Sequence, residues 1–545
     1  MGVIYMGDYN INGLAIPLFL IFMLLEYLFL KIQGRSLHRY NDSVTSLSMG
    51  ILLLLSDSIL KAYTFMVFIY LWENFRLFNF ATSEVATWII FFFLVDFCYY
   101  WFHRTAHEIN FLWGAHVGHH QSEEYNLTAS LRQSAFQYAF SWVFYLPLAL
   151  LGCPPIAFLI LFIALKIYQF WLHTQAIGRI PLIEGILSTP SSHRVHHAKN
   201  PIYINRNYGG TLVIWDRIFN SWQPELANQT CHYGTTHPLK TLNPIYGNLQ
   251  HWSILVKDTI KTKKWSNKIK LWFKPTGWRP EDCQNKELNQ SLQQKTGCEK
   301  REKYDPQVSL LVKIYVGFCL LSIIALTVMF TFLAPVLNVS QLTIGALLIL
   351  FGLVVTTDFL EGNKKYVLIE IIRLPALAWF LSTLWLTTST THISDTITMN
   401  KSPHEVLTYA STPALWQEWH PQSSKVKVKS QGPLQTGDKF EEDVLTAIGK
   451  NHFNWEILSS TPGVIWVAKA DNQENGVSLV LTYKVENING NTQFIRELDY
   501  TMPNFLFLVA NEVFFRRNIK NKSESELQRL KAVIESKNSH LTTSR

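Results

Sequence analysis

Nine of the 18 histidines lie between residues 103 and 197, at spacings that an ordinary protein core does not require. His103 and His107 are four residues apart, and His173 ends a long apolar stretch. The other six form two triplets with the pattern His-x-x-His-His: His116, His119 and His120, then His193, His196 and His197. Residues i, i+3 and i+4 of a helix share one side, so each triplet is expected to direct three imidazole rings toward a common point.

Neutral imidazole binds zinc, copper, iron and nickel. A zinc site closes with four ligands, so nine histidines are too many for one zinc ion and suit two six-coordinate metals. Iron also supplies redox chemistry, which zinc cannot. A single buried histidine is usually a hydrogen-bonded core residue, but three groups with ligand spacing indicate a metal site. His237, in a polar loop, could be a ligand, a partner of a ligand or neither.

Two carboxylates lie close to these histidines in sequence. Asp96 stands seven residues before the first of them, on the same helical side, and is costly in a membrane segment unless it is paired. It could accept a hydrogen bond from a histidine ring. Glu108 adjoins His107 and could orient the metal cage or bind it, or be a surface charge. Arg132 and Gln133 could meet a polar lipid head group or belong to a solvated loop.

The composition indicates a membrane protein. Hydrophobic residues make up 48% of the chain and charged residues 16%, against about 25% charged residues in soluble proteins. The six cysteines include no C-x-x-C pair, which argues against a thiolate zinc site or a disulfide framework. Eight apolar segments of roughly 20 residues are long enough to span a bilayer as helices: about 11–31, 47–72, 85–102, 135–151, 154–172, 308–334, 341–358 and 366–387.

Charge predicts how these segments are oriented. Basic residues such as Lys31 and Arg39 place residues 31–46 in the cytoplasm. Two crossings then put His103 on the same side, and a hairpin over 135–172 returns His173 to it. The histidines are therefore expected at the cytoplasmic face of a multi-pass protein of the bacterial inner membrane or the endoplasmic reticulum. The net charge of +8 forms no continuous basic stripe, so it fits an anionic leaflet and not a nucleic acid.

From about residue 391 the pattern changes to that of a soluble α+β domain with a closing helix from residue 504. Strand-like stretches occur at 425–429, 439–445, 464–470, 477–485 and 492–500. A short helix is predicted near 404–414. The expected division of the chain is N-terminal transmembrane helices (1–84), a histidine-box domain (85–240), a basic and polar cytoplasmic loop (241–307), C-terminal transmembrane helices (308–390) and the α+β domain (391–545).

Four phrases surround the histidines: YYWFHRTAHEINFLWGAHVGHHQSEEYNLTASLRQS (99–134), QFWLHT (169–174), TPSSHRVHHAKN (189–200) and NYGGTLVIWDRIFNSW (207–222). With the apolar segments around them, they resemble the fatty acid hydroxylase/sterol desaturase superfamily of membrane di-iron enzymes, and within it the alkylglycerol monooxygenases. The C-terminal phrase ISDTITMNKSPHEVLTYASTPALWQEWHP (393–421) resembles the START-like polyketide cyclase/dehydrase domains, which have a helix-grip fold with an apolar tunnel. That domain could bind lipid or aldehyde, or only stabilise the protein.

The resemblance implies an α-helical integral membrane di-iron hydroxylase bundle followed by a soluble α+β helix-grip domain. It implies that two iron ions are held by the histidine pair and the two triplets, and Glu108 matches a glutamate important in that family. It also implies hydroxylation of the ether-lipid carbon beside oxygen with O2 and tetrahydrobiopterin, giving a fatty aldehyde and a glycerol derivative. No biopterin motif is readable. In this interpretation Asp96 or Glu108 tunes the metals from outside the cage, and His173 is a ninth ligand.

Two other functions are compatible with the same residues. One is a sterol or fatty-acyl hydroxylase or desaturase that takes electrons from a redox protein. The other is a non-catalytic lipid carrier or sensor, in which the C-terminal domain acts and the metal is structural. Iron content, loss of activity on His119→Ala or His196→Ala, and the identity of the oxidised lipid would distinguish the three.

Overall fold

The computed structural model describes residues 11–283, 302–334, 337–385, 389–446, 449–472, 476–502 and 504–536. They form two compact units: the first contains the described residues of 12–328 and 342–376, and the second those of 329–341 and from 377 onward. Residues 284–301 of the predicted basic and polar loop, with Cys298, lie outside the described residues. The other five cysteines are free thiols, as the sequence predicts.

Helices dominate the first unit, and a further few belong to the second. In chain order the α-helices are α1 (Ile11–Ile32), α2 (Tyr40–Phe75), α3 (Val85–Glu108), α4 (Asn110–Trp113), α5 (Val117–His120), α6 (Leu127–Leu131), α7 (Gln137–Ser141), α8 (Leu146–Leu151), α9 (Pro155–Phe170), α10 (Pro190–His197), α11 (Ile214–Ile218), α12 (Pro244–Lys261), α13 (Trp265–Phe273), α14 (Leu310–Leu333), α15 (Val339–Leu360), α16 (Val367–Trp385), α17 (Pro403–Ala410), α18 (Trp416–Trp419), α19 (Phe505–Ala510) and α20 (Arg516–Ser536).

Among the described helices, four are long and apolar enough to cross a membrane: α3, α14, α15 and α16. The other predicted segments are helical as well, as α1, α2 and an apolar hairpin. The arms of that hairpin, Gln137–Leu151 and Pro155–Phe170, have only 15 and 16 residues. At 1.5 Å per residue each reaches about 24 Å, less than the roughly 30 Å of a hydrocarbon core. Neither arm is long enough to cross the membrane upright.

The hairpin packs against α2 and α3 through apolar and aromatic side chains. Phe68 of α2 stacks on Phe158 of α9 with ring centroids 4.5 Å apart, and Phe91 of α3 is fully buried in the same cluster. The chain turns at Gly152, whose φ is 100° and whose Cβ, if it had one, would lie 2.0 Å from the carbonyl oxygen of Phe78. Only glycine fits there. This packing fixes α3, the helix that carries the first two histidines.

Helix α16 contains two charged residues within an apolar segment. Glu370 and Arg373 are both buried and form an ion pair, with Nε to Oε2 at 2.5 Å. The hydroxyl of Tyr315 in α14 donates a further hydrogen bond to Glu370 at 2.5 Å. The two charges neutralise each other, so the helix remains compatible with a bilayer.

The second unit contains one antiparallel sheet of seven strands in the order β1-β7-β6-β5-β4-β3-β2. The strands are β1 (Ser389–Met399), β2 (Ser423–Lys427), β3 (Lys439–Thr446), β4 (Gly449–Thr461), β5 (Ile465–Asp471), β6 (Ser478–Ile488) and β7 (Asn491–Met502). Helix α20 covers one face of the sheet with Leu527, Leu530 and Ile534, which follow helical spacing. A sheet closed by a long C-terminal helix is the helix-grip architecture that the resemblance implies.

The sequence located most of this sheet correctly. Strands β2, β3, β5, β6 and β7 coincide with the five predicted stretches within a few residues, α17 with the predicted short helix, and α19 and α20 together with the predicted closing helix. These stretches do not include β1 or β4, although in β4 Phe453, Trp455 and Ile457 alternate with polar residues and point into the core.

Candidate metal centre

The nine histidines of the sequence pattern are all buried and lie in two adjacent groups in the first unit. Within each group one ring nitrogen per residue lies within 4.8 Å of the others. The two groups touch: the rings of His120 and His197 stack with centroids 4.3 Å apart and an interplanar angle of 21°. Group one contains His103, His107, His116, His120 and His196; group two contains His119, His173, His193 and His197.

The sequence led us to expect that each triplet surrounds one point, and the structure shows that neither does. His116 and His120 belong to group one, whereas His119 belongs to group two. In the second triplet His193 and His197 belong to group two and the residue between them to group one. Successive helical residues are rotated by about 100°, so i and i+4 nearly align while i+3 points to the side. Each triplet therefore contributes to both groups and links them.

The facing nitrogens are spaced as ligands of one ion would be. Nε2 of His116 lies 3.2 Å from that of His103 and 3.3 Å from that of His120. In group two, Nε2 of His173 lies 3.0 Å from that of His193. Two nitrogens about 2.1 Å from a metal and 90° apart are roughly 3.0 Å from each other. The buried Nε2 atoms of His107 and His196 have no hydrogen-bond partner among the described residues.

Backbone carbonyls fix which ring nitrogen carries the proton. Nδ1 of His103 lies 2.8 Å from the carbonyl oxygen of Tyr208, and Nδ1 of His119 lies 2.8 Å from that of Arg132. His173 and His196 make equivalent bonds at 3.0 Å. A carbonyl oxygen only accepts, so Nδ1 must be protonated and the lone pair remains on Nε2. The rings are thus prepared to bind metal through Nε2.

Burial also keeps the rings uncharged. It lowers the pKa of His116 and of His173 to about 3 and the pKa of His196 to about 4. Neighbouring histidines oppose protonation as well, because two imidazolium ions at such distances would repel each other. Neutral imidazole is the form that binds metal, so the donor set fits two ions held by nitrogen.

Short, well-capped elements carry the triplets. Thr189 caps α10: its hydroxyl accepts from the backbone N–H of Ser192 at 3.2 Å, and the Ser192 hydroxyl accepts from that of Thr189 at 2.9 Å. Pro190 occupies the first helical position, which suits its fixed φ. The phrase TPSSH is therefore a complete helix start, and it sets the direction of the three histidines that follow.

Asp96 bonds to a loop, with neither oxygen directed at a histidine. Its Oδ1 accepts from the backbone N–H of Thr211 at 2.7 Å, and its Oδ2 accepts from Leu212 at 3.1 Å and from the indole of Trp215 at 3.0 Å. A Cβ on Gly210 in this loop would lie 3.0 Å from Oδ1 and 2.7 Å from the ring of Tyr99. The close approach of loop and helix α3 therefore needs glycine, and Asp96 supports His103 indirectly.

Glu108 lies at the edge of group one. Its side chain is 40% exposed and pairs with Arg104, with Nε to Oε1 at 3.0 Å. It also accepts a hydrogen bond of 3.4 Å from the hydroxyl of Tyr208, whose ring packs 5.4 Å from that of His107. Tyr208 thus separates the carboxylate from the histidines.

Arg132 and His237 differ in their positions. Arg132 is buried, donates from Nε to the carbonyl oxygen of Gly118 at 3.1 Å, and offers its own carbonyl to His119. Its backbone carbonyl therefore holds the ring of His119 in place. The amide nitrogen of Gln133 lies 3.1 Å from Nδ1 of the same ring and donates to the carbonyl oxygen of Ser130 at 3.1 Å. His237 is exposed and belongs to neither histidine group.

Sequence reasoning missed two buried anchors. Glu26 of α1 accepts from the hydroxyl of Thr174 and from the N–H of Leu127 at 2.7 Å, so it ties α1 to the chain just after His173. A lone acid in an apolar helix was the available signal. Arg194, inside the last triplet, donates to the carbonyl oxygen of Thr174 at 3.1 Å and pairs with Glu225. Spacing in the sequence gave no sign of this partner.

Two protein families match separate parts of the chain. The fatty acid hydroxylase family matches residues 88–221, which include all nine histidines. The polyketide cyclase/dehydrase and lipid transport family matches residues 390–535, which make up the sheet and its closing helix.

Similar proteins extend the first match beyond the histidines. An alkylglycerol monooxygenase of Xenopus tropicalis is 39% identical over 335 residues, covering 62% of this chain and 74% of its own length. That of Homo sapiens is 41% identical over 302 residues, covering 55% of this chain and 66% of its own. Among solved structures, DR_A0006 from Deinococcus radiodurans aligns with 26% of this chain and 95% of its own at 13% identity, with a TM-score of 0.20.

Proposed function

Because the chain belongs to the alkylglycerol monooxygenase family, we propose that it cleaves the ether bond of alkylglycerols. The protein is a membrane-bound lipid monooxygenase with a fatty acid hydroxylase domain. In the proposed reaction one atom of O2 hydroxylates the carbon beside the ether oxygen and the other leaves as water. The resulting hemiacetal collapses to a fatty aldehyde and a glycerol derivative. The observation that carries this proposal is the pair of buried histidine groups with converging Nε2 atoms.

We propose that each group holds one iron ion. Nine neutral nitrogen donors exceed what one zinc ion accepts, and five and four donors leave positions for oxygen or water on six-coordinate ions. When bound, the irons would supply the activation of O2 and the oxidation of the C–H bond. Tetrahydrobiopterin is the proposed reductant, in keeping with the family resemblance.

The chain itself holds the donors in place and excludes water. Carbonyl oxygens orient four of the rings, and aromatic side chains enclose the groups from several sides. Trp113 packs 4.9 Å from His107, and Tyr125 packs 5.3 Å from His197, measured between ring centroids. A dry, rigid surround keeps the donors neutral and prevents bulk water from competing for them.

For Glu108 we propose a role in moving protons, with Arg104 and Tyr208 as its partners. The carboxylate is partly exposed, and the Tyr208 hydroxyl connects it to the edge of group one. The ring of Tyr208 packs against His107, so this carboxylate lies one side chain away from the histidines. For Asp96 we propose positioning of the loop that supports His103.

We also propose that the histidine groups face the cytoplasm. The support is the distribution of basic residues, which places the segment after α1 on that side, and a direct contact of that segment with the histidine region, where Arg39 pairs with Glu123 at 3.3 Å. An introduced cysteine at exposed Lys31, tested with an impermeant thiol reagent on sealed vesicles, checks this orientation.

The decisive experiment combines metal analysis with an oxygen-dependent assay on an alkylglycerol, with and without tetrahydrobiopterin. We expect about two irons per chain and release of fatty aldehyde that requires O2 and the pterin. His196→Ala, in group one, and His119→Ala, in group two, should each abolish aldehyde release. His237→Ala is the matched control, because this histidine is exposed and outside both groups.

Other outcomes would contradict the proposal in distinct ways. Bound zinc, or no metal, together with undiminished lipid binding would indicate a carrier or sensor. Iron with oxidation of a sterol or fatty acyl chain, and none of the alkylglycerol, would retain the oxygenase chemistry but overturn the proposed substrate.

A further inference from the structure

The second unit contains a cavity of about 190 Å³ between the sheet and α20. Its walls are mostly apolar, with Phe453 from β4, Leu479 and Leu481 from β6, and Leu498 and Met502 from β7. A cavity of roughly 150 Å³ already accepts a molecule as large as benzene. This one has room for a single hydrocarbon chain of medium length.

Polar side chains gather at one part of this cavity, and most of them are buried. Arg496 of β7 and Glu526 of α20 form an ion pair at 2.5 Å, and Glu526 also accepts from Gln422 at 3.0 Å. Glu442 of β3 is 1% exposed and accepts from the indole of Trp455 at 2.9 Å through Oε2. All of these residues line the cavity. Such groups are costly to bury, so an unused hydrogen-bonding atom among them is informative.

Three atoms of this cluster are buried and have no hydrogen-bond partner among the described residues. They are Oε1 of Glu442, Nδ1 of His420 and Nε of Arg496. Oε1 of Glu442 and Nδ1 of His420 are 3.8 Å apart, too far to satisfy each other. The guanidinium nitrogen can only donate, whereas the carboxylate oxygen accepts when ionised. Together they offer a donor and an acceptor to something in the cavity.

The charges of the cavity lining cancel. Glu442 and Glu526 are balanced by Arg496 and Lys522, the last of which also lines the cavity. A carboxylate or phosphate head group would add an uncompensated negative charge near two acids. A hydroxyl group adds no charge, and it both donates and accepts a hydrogen bond. Burial raises the pKa of Glu442 to about 7, so at pH 8 both acids are ionised and this balance holds.

We propose that the C-terminal domain binds a neutral single-chain lipid with a hydroxyl head, its chain along the apolar wall and its hydroxyl between Glu442 and Arg496. Fatty alcohols and alkylglycerols share this chemistry. This site lies in a different unit from the histidines, and it stands whether or not the proposed ether cleavage is correct.

Photolabelling of the full chain in lipid nanodiscs tests this site. The probe is an octanol with a diazirine in its chain, applied under argon without reductant so that no turnover is needed. We expect labelled peptides from residues 389–536. Unlabelled 1-octanol should compete about tenfold better than methyl octyl ether, which cannot donate, because one buried hydrogen bond is lost. Octanoate at pH 8 should compete at least tenfold less well than octanol. A comparison of octanol with 1-O-octylglycerol shows whether the site prefers a fatty alcohol or an alkylglycerol.

Two substitutions on neighbouring positions of β3 sharpen the test. Glu442→Gln keeps an oxygen for Trp455 and turns a free amide N–H toward the ligand, so the preference for octanol over the ether should fall to about onefold. Continued labelling by the probe shows that the cavity is still folded. Glu441→Gln is the control, because Glu441 is exposed and pairs with Lys427.

Four results would overturn the proposal. They are equal competition by octanol and the ether in the unmodified chain, stronger competition by octanoate, labelling confined to residues outside 389–536, and the same loss of preference in both variants. None of them bears on aldehyde release, so failure of this site and failure of the oxygenase assignment are separable.

Discussion

The carbonyl oxygen of Tyr208 lies 2.8 Å from Nδ1 of His103, a residue 105 positions earlier in the chain. This bond sets the tautomer of the first histidine, and it depends on a loop that Asp96 holds from helix α3. The histidines are therefore supported from the same helix that carries two of them.

Asp96→Asn should weaken metal binding without touching a ligand. The amide has one accepting oxygen and would present an N–H to a backbone N–H of the loop, so the loop should shift and His103 should lose its carbonyl partner. Loss of such support typically lowers metal affinity or activity about 10- to 100-fold. Iron content after mild chelation measures the effect, with exposed Asp499→Asn as control. Full retention of iron and activity would show that the loop does not position the histidine.

Gly210→Ala should also disturb the centre, for steric reasons. The added methyl group would lie 2.7 Å from Tyr99 and 3.0 Å from Leu165. Overpacking of this kind costs about 1–3 kcal/mol, and we expect a lower melting temperature together with reduced iron content. Gly178→Ala is the control, because nothing lies within 4 Å of its added Cβ. Equal melting temperatures for the two variants would contradict the prediction.

Neighbouring histidines should differ in their effect on metal content. His119→Ala leaves three donors in group two, whereas His120→Ala leaves four in group one. Both variants should lose aldehyde release, but His119→Ala should lose more iron, because a larger share of its site is removed. Iron per chain after dialysis against a weak chelator is the measurement. The same loss in both variants would argue against the division into groups of four and five.

Loss of one member of the buried ion pair in α16 should destabilise the protein more than loss of one member of an exposed ion pair. Removing one member, as in Glu370→Gln, leaves buried Arg373 uncompensated and should cost about 3–5 kcal/mol. Replacing both by leucine should cost less than the single change. Thermal unfolding in detergent provides the comparison, and Glu456→Gln, from an exposed pair, should change stability by less than about 1 kcal/mol. A double variant less stable than the single one would contradict this account.

Glu442 should make the C-terminal domain less stable as pH rises. Its folded pKa, about 7, exceeds the unfolded value of 4.5, so between these values the unfolded chain loses a proton that the folded chain keeps. Stability from this group is therefore fully present below about pH 4.5 and is lost toward pH 7. Burial lowers the pKa of His420 to about 4, which acts in the opposite direction, so the informative quantity is a difference between variants.

We expect Glu442→Gln to gain stability relative to the unmodified chain as pH rises from 4.5 to 7. Hydrogen exchange of peptides from β3 and β4 in the full chain, corrected for intrinsic rates, measures local opening at each pH. Glu441→Gln should follow the unmodified chain. A difference that is constant with pH would show that Glu442 does not titrate in this range.

Much of the fold follows from patterns that the sequence displays directly. Apolar runs located the long apolar helices but not α12 and α13, which lie in the predicted loop, and alternation located five of the seven strands. Strand β4 could also have been predicted, because Phe453, Trp455 and Ile457 alternate with polar residues as clearly as the residues of the strands that were recognised. For α9 the apolar composition was not enough to predict a membrane span. The helix has only 16 residues, which is too short to cross the bilayer upright.

The histidines themselves were predictable because their spacing is local. The division of the histidines into two groups was not predictable. Whether the middle histidine of a triplet joins the other two depends on where neighbouring helices place the remaining donors. The supporting contacts were harder still. Glu26 and Thr174 are 148 residues apart, and Asp96 and Thr211 are 115 apart, so only the folded chain brings them together.

Helix α5 is a single turn, and it delivers one ring to each histidine group from adjacent positions in the chain. Any displacement of that turn must disturb both groups in the same instant. A substitution that shifts this turn should therefore lower the metal content of both groups, whereas removal of a single ring should act chiefly on its own group.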